Sequence, residues 1–88
     1  MITIQKQDVA NWMLADYLAN LHAVNQKLQL FERKYQQTWE EFSEEMAETS
    51  KEDFERWDDF IEWKAYVKTA EDLAAKIDEV KRGNFTVT

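Results

Sequence analysis

The sequence of 88 residues contains no cysteine, no proline and a single glycine. The absence of cysteine excludes a disulfide scaffold and a thiolate metal site. A single glycine excludes the glycine-rich phosphate loops of nucleotide-binding proteins. Because proline and glycine punctuate turns, their scarcity predicts long helices joined by few turns.

Long apolar runs are also missing. No run approaches the roughly 20 residues that a membrane span requires, and the N-terminal residues lack the basic start and apolar stretch of a signal peptide. We therefore expect a soluble cytoplasmic protein without a membrane partner.

Basic residues are few compared with acidic ones. Eleven Lys and Arg stand against 18 Asp and Glu, which gives a formal net charge of −7. Nucleic-acid binding depends mainly on phosphate neutralisation by basic side chains, so no direct nucleic-acid binding is expected. An acidic chain suits a partner protein with a basic surface. The alternative is that the charge serves solubility alone.

The sequence shows no apparatus for catalysis. His22 is the only histidine, and no cysteine is available as a nucleophile. We predict no catalytic residue, no cofactor and no metal ligand. One remote alternative rests on the pairs Glu41 with Glu44 and Glu55 with Asp58, which imitate the acidic motifs that hold Mg²⁺ in all-helical nucleotide pyrophosphohydrolases.

Helical periodicity begins near Asp8, a plausible N-cap, and predicts a single all-α domain over residues 1–88. We expect an antiparallel hairpin of two long helices with a short intervening helix. Short strand-like tails are predicted at 2–4 and 85–88. The predicted helices cover about residues 8–36, 39–48 and 51–82.

Capping patterns set the predicted boundaries. Thr38 and Glu41 form a capping-box pattern, which predicts a kink or restart near Gln36–Gln37. Thr49 with Glu52, or Ser50 with Asp53, has the same spacing before the last helix, and Gly83 is a good left-handed stop after it.

The first helix carries an apolar stripe within an arc of about 140°. Its members are Leu14, Tyr17, Leu18, Leu21, Val24, Leu28, Phe31 and Tyr35. Continued at the same angle, the stripe reaches Trp39, Phe42 and Met46 in the short helix.

The segment WDDFIEWKAY, residues 57–66, widens the apolar surface of the last helix to an arc of about 200°. One edge holds Phe54, Ile61 and Ala65; the other holds Phe60, Trp63 and Val67. An arc of this width is about twice what one packing seam needs. We expect one edge to face the first helix and the other to face a second chain. The alternative is that the intervening helix, over residues 39–47, folds over the second edge.

Aromatic residues are typical anchors of protein interfaces, and acidic neighbours suit a basic partner. We therefore predict a partner-binding site with aromatic anchors and a charged surround, centred near Trp63. The anchors are Trp57, Phe60, Trp63 and Tyr66, and the surround is Asp58, Asp59 and Glu62.

Three short motifs resemble a known group of proteins: F-E-x-K-Y at residues 31–35, E-E-F at 40–42 and W-D-D-x-I-E-W at 57–63. Together they resemble small helical antitoxin-like proteins of prokaryotic toxin–antitoxin pairs. That group often has glycine after its tyrosine, where this sequence has Gln36. The resemblance implies an antitoxin that neutralises a cognate ribonuclease-like toxin by direct contact, and it implies no individual contact residues. A self-associating homodimer, forming a four-helix bundle, is the structural alternative.

Overall fold

A computed structural model describes residues 4–48 and 53–85 of the chain. Its three helices are α1 (Lys6–Tyr35), α2 (Trp39–Glu48) and α3 (Phe54–Lys81). Most of the two predicted strand-like tails lies outside the described residues. Ile4 and Phe85, which are described, belong to no strand.

Helices α1 and α3 form an antiparallel hairpin. Lys6 Nζ near the start of α1 donates to the carbonyl of Gly83, just after α3, at 2.9 Å. At the other end, Lys34 Nζ lies 2.6 Å from Asp59 Oδ2. The result is an elongated molecule of 63 × 19 × 17 Å. The predicted all-α hairpin is confirmed.

The break between α1 and α2 lies at the predicted position. Gln36 adopts left-handed dihedral angles, with φ 55° and ψ 37°, and ends α1. Thr38 and Glu41 then form a reciprocal capping box. The backbone nitrogen of Thr38 lies 2.9 Å from Glu41 Oε1, and the backbone nitrogen of Glu41 lies 3.2 Å from Thr38 Oγ1. Two otherwise unpaired amide groups are thereby satisfied at the start of α2.

The start of α1 differs from the prediction. Gln5 precedes the helix without a side-chain capping bond, and α1 begins at Lys6. Asp8 is therefore not the N-cap but an acidic residue of the first turn. There its charge is favoured by the helix dipole.

The start of α3 also differs. Asp53 is the N-cap, because its side chain accepts a hydrogen bond of 3.1 Å from the backbone N–H of Arg56. The helix begins at Phe54 rather than near Lys51. The predicted caps Thr49 and Ser50 lie outside the described residues.

The core lies where α2 packs across the hairpin. Phe42, Met46 and Trp63 are at most 1 % exposed. The Phe42 ring centroid lies 5.0 Å from that of Trp63, and Phe31 of α1 stacks on Trp63 at 5.5 Å. Helix α2 therefore covers the edge of α3 that contains Trp63, as the alternative reading of the sequence proposed.

Farther from α2, the hairpin narrows to two helices. Its buried residues there are smaller: Ala10 on α1 and Leu73, Ile77 and Val80 on α3. The predicted stripe of α1 faces this seam, and its members are half-buried except Leu18, which is 50 % exposed. The position of α2 thus makes one end of the hairpin a three-helix core.

Candidate interaction surface

The largest exposed apolar side chains of α3 belong to one edge of that helix. Phe54 is 77 % exposed and Ile61 is 63 % exposed. Ala65 follows them and is exposed too. Spacings of 7 and 11 residues are close to two and three helical turns, so these three residues share one face. We call this set of Phe54, Ile61 and Ala65 the outer α3 edge.

Acidic residues border the outer α3 edge. Asp58 lies one turn after Phe54, and Glu62 follows Ile61 directly; both are exposed. The Glu55 side chain is 75 % exposed even though it pairs with Lys34. The surface therefore combines apolar side chains with a negative border, which is the composition that suits a partner with basic residues around an apolar contact.

Four polar residues tie the end of α1 to the start of α3. Lys34 Nζ contacts Glu55 Oε1 at 2.8 Å and Asp59 Oδ2 at 2.6 Å. The Tyr35 hydroxyl donates a short hydrogen bond to the same Asp59 oxygen. These contacts fix the rotation of α3 about its axis, so they decide which edge of α3 faces outward.

Electrostatics in this group follow from the same contacts. Burial, together with the hydrogen bond to Asp59, raises the pKa of Tyr35 to about 12. Burial alone would raise the pKa of Asp59, but the hydrogen bonds from Lys34 and Tyr35 lower it overall. The same hydrogen bonds to Asp59 and Glu55 raise the pKa of Lys34. Near neutral pH Lys34 is therefore an ammonium, Tyr35 a phenol and Asp59 a carboxylate.

Arg56 ties α3 to α2. Its guanidinium forms an ion pair with Glu45. It also lies over two rings, 5.3 Å from the Tyr35 centroid and 5.5 Å from the Phe42 centroid. A guanidinium over aromatic faces is attracted by their quadrupoles. Arg56 thus connects the polar contacts at this end with the aromatic core.

The predicted aromatic anchors are mainly part of the fold. Trp63 is 0 % exposed, so in this structure it is a core residue and not an exposed anchor. Its Nε1 is buried without a hydrogen-bond partner among the described residues. Trp57 and Phe60 pack half-buried against the same core, and Tyr66 lies near Phe31 with ring centroids 6.3 Å apart.

The predicted charged residues divide between two roles. Asp58 and Glu62 are exposed beside the outer α3 edge. Asp59 instead points to Lys34 and Tyr35 within the hairpin. The large exposed apolar residues of α3 are Phe54 and Ile61; they were not among the predicted site residues, although the same helical wheel places them on the edge opposite Trp63.

The residues behind the antitoxin resemblance hold the three helices together. Lys34 and Tyr35, from F-E-x-K-Y, bind Asp59, from W-D-D-x-I-E-W. Phe42, from E-E-F, packs its ring 4.5 Å from that of Tyr35. The residues of these motifs therefore form the contacts between the three helices.

The acidic pairs of the pyrophosphohydrolase alternative do not converge. Glu41 accepts from the Thr38 amide, and Glu55 accepts from Lys34. Among residues 4–48 and 53–85, no group of three or more His, Cys, Asp or Glu side chains could hold a metal ion. Over the same residues, none of the helices is both long and apolar enough to cross a membrane.

Comparison with known proteins identifies a family for this chain. No curated protein and no solved structure matches the chain. One family model, described as "Uncharacterized protein MJ0235 family", matches residues 2–85. Since this match spans nearly the whole sequence, the chain belongs to the MJ0235 family.

Proposed function

We propose that this protein is a non-enzymatic binding module that acts by direct contact with another protein. The observation that carries the proposal is the outer α3 edge, where Phe54 and Ile61 are exposed beside Asp58 and Glu62. Full burial of a Phe or Ile side chain is worth about 1.5–3 kcal/mol. Two such anchors close together supply a compact apolar contact.

The polar contacts that orient α3 support this role. Asp59 is held by Lys34 and Tyr35, and Arg56 is held by Glu45. Because these bonds already orient α3, little conformational freedom is lost when a partner binds, and affinity benefits from this preorganisation. The acidic border adds long-range attraction, which mainly accelerates association and weakens as salt increases.

The partner that we propose is a ribonuclease-like toxin, which would make this protein its antitoxin. Two observations support it: the resemblance of the motifs at 31–35, 40–42 and 57–63, and the net charge of −7. A ribonuclease binds a polyanion and therefore needs a basic groove. An acidic helix with an apolar centre can cover such a groove and keep RNA out.

Co-expression with the product of the neighbouring gene tests the proposal. That product should arrest growth when expressed alone, and the wild-type chain should restore growth. Phe54→Asp and Ile61→Asp should each abolish rescue, because a charge replaces an anchor. Leu18→Asp is the matched control, since Leu18 is also exposed, at 50 %, but lies on α1.

Circular dichroism and thermal melts of the three variants separate lost contact from lost folding. Exposed substitutions usually change stability by no more than about 0.5 kcal/mol. A neighbouring product that is harmless alone, or that stays toxic beside the wild-type chain, refutes the antitoxin role. Rescue by all three variants would leave the antitoxin role standing and remove the outer α3 edge from the contact.

A further inference from the structure

A second exposed apolar surface lies on α1, on the side that faces away from α3. Trp12 is 61 % exposed and Leu30 is 55 % exposed. Between them Ala19 and Ala23 are exposed as well. On a helical wheel the four residues fall within an arc of about 40°. That arc is centred about 150° from the buried stripe of α1.

The surface has the spacing of a helix–helix packing seam. Asp16 and Gln26 complete it, so that successive members are separated by 4, 3, 4, 3 and 4 residues. This is the 3.5-residue repeat by which two helices pack along each other. We call this set the outer α1 seam; its members are Trp12, Asp16, Ala19, Ala23, Gln26 and Leu30.

The order of residues along the outer α1 seam is self-complementary. When a second copy runs in the opposite direction about a two-fold axis at position 21, Trp12 lies opposite Leu30 of the other copy. The same operation places Ala19 opposite Ala23, so that small residues meet and the backbones can approach. Asp16 then lies opposite Gln26, whose amide can donate to the carboxylate. In this arrangement large residues lie opposite large ones, polar residues opposite polar ones, and small residues opposite small ones.

Charge favours a contact through α1 rather than through the other helices. Helix α1 has four basic and three acidic residues. Helix α2 has five acidic residues and no basic one, and α3 has eight acidic and five basic residues. Two chains of net charge −7 repel each other, and the repulsion is smallest where the contact surfaces are least negative.

We propose that a second copy of this chain covers the outer α1 seam, forming a two-fold antiparallel dimer through α1. An isologous contact requires one patch to complement itself, and the outer α1 seam meets that requirement. The dimer contact lies on α1, about 150° around the helix from its buried stripe, whereas the outer α3 edge lies on α3. Both copies of the proposed partner surface therefore stay free, and the dimer does not depend on the proposed function.

The size of the contact sets the expected strength. The helix advances 18 positions from Trp12 to Leu30, which is about 27 Å at 1.5 Å per residue. A single pair of helices of this length makes a contact at the small end of the range for specific interfaces. We therefore expect a reversible dimer with a dissociation constant of about 1–100 µM.

Sedimentation equilibrium of the full chain, over about 5–500 µM, tests the association. The wild-type chain should pass from monomer to dimer in this range. Ala23→Arg should weaken the dimer at least tenfold, since each copy would place a cation in the seam. Ala65→Arg, the same change at an exposed position of α3, should leave it unaltered. A monomer at every concentration, or a dimer lost only with Ala65→Arg, overturns the proposal.

Cysteine cross-linking tests the direction of the helices, because the chain has no cysteine of its own. Ala19→Cys and Ala23→Cys chains of different tag length are mixed and oxidised. The antiparallel register brings position 19 of one copy near position 23 of the other, within the short range that a disulfide spans. The mixed disulfide should therefore predominate. Predominance of 19–19 and 23–23 disulfides would show parallel helices and refute the proposed arrangement.

Discussion

Gln36 offers a sharp test of the break between α1 and α2. Its φ of 55° lies in the left-handed region, which only glycine adopts without steric cost. Replacement by glycine removes the Cβ that opposes this conformation. Gln36 also donates a hydrogen bond of 2.8 Å from Nε2 to the carbonyl of Arg33. Gln36→Ala loses the same bond but keeps the Cβ, so the two variants differ only in the backbone term.

The expected difference follows from two opposing contributions. A left-handed residue with a Cβ costs about 1–2 kcal/mol. Glycine avoids this cost, but its greater conformational freedom in the unfolded chain destabilises the folded state by about 0.5–1 kcal/mol and so offsets part of the gain. Gln36→Gly should therefore exceed Gln36→Ala in unfolding free energy by about 0.5–1 kcal/mol. In a domain of this size the difference corresponds to about 2–8 °C in Tm.

Thermal and urea unfolding, followed by circular dichroism, measure the difference. The wild-type protein should have a higher unfolding free energy than Gln36→Ala, since it retains the hydrogen bond to the Arg33 carbonyl. If the unfolding free energy of Gln36→Ala equals or exceeds that of Gln36→Gly, then Gln36 does not hold a left-handed conformation in solution. The assignment of the helix break to this residue would then fail.

Two further predictions concern the core and the polar contacts. Phe42→Ala should lower the unfolding free energy by about 3–5 kcal/mol, because the Phe42 ring is 0 % exposed and packs among other aromatic rings. Urea unfolding measures this loss, with Ser43→Ala as the control. A loss below about 1 kcal/mol would contradict the prediction. The lowered pKa of Asp59 means that its ionised form stabilises the fold above the unfolded pKa of about 4. This contribution is lost as pH falls through the folded pKa, so the stability gap between wild type and Asp59→Asn should close at low pH. A stability difference between wild type and Asp59→Asn that stays constant down to about pH 2 would refute this role of the Asp59 carboxylate.

Most of the fold follows from local patterns in the sequence. The capping pair Thr38 and Glu41 places the start of α2 correctly, because a capping box is formed within one helical turn. The repeat of apolar residues from Leu14 to Tyr35 predicts which side of α1 is buried. The predicted start of α3 is wrong by three residues, because several polar residues before Phe54 are competent caps by pattern, and the bond to the Arg56 N–H comes from Asp53.

The candidate site follows from the sequence only in part. The acidic residues Asp58 and Glu62 are exposed where a partner could reach them. The anchor Trp63 is buried, because an aromatic residue favours a protein core as readily as an interface. The helical wheel shows two apolar edges of similar character, and it contains no information about which one another helix will cover.

Helix periodicity, capping and acidic character are therefore determined by the sequence itself, since each depends on residues within a few turns or on a count of charges. The tertiary structure decides which apolar edge faces outward. Helix α2 brings Phe42 and Met46 onto Trp63, while Lys34 and Tyr35 hold Asp59 and fix the rotation of α3. These contacts join residues that lie 17 or more positions apart, so no local pattern encodes them. They leave Phe54 and Ile61 exposed on the surface.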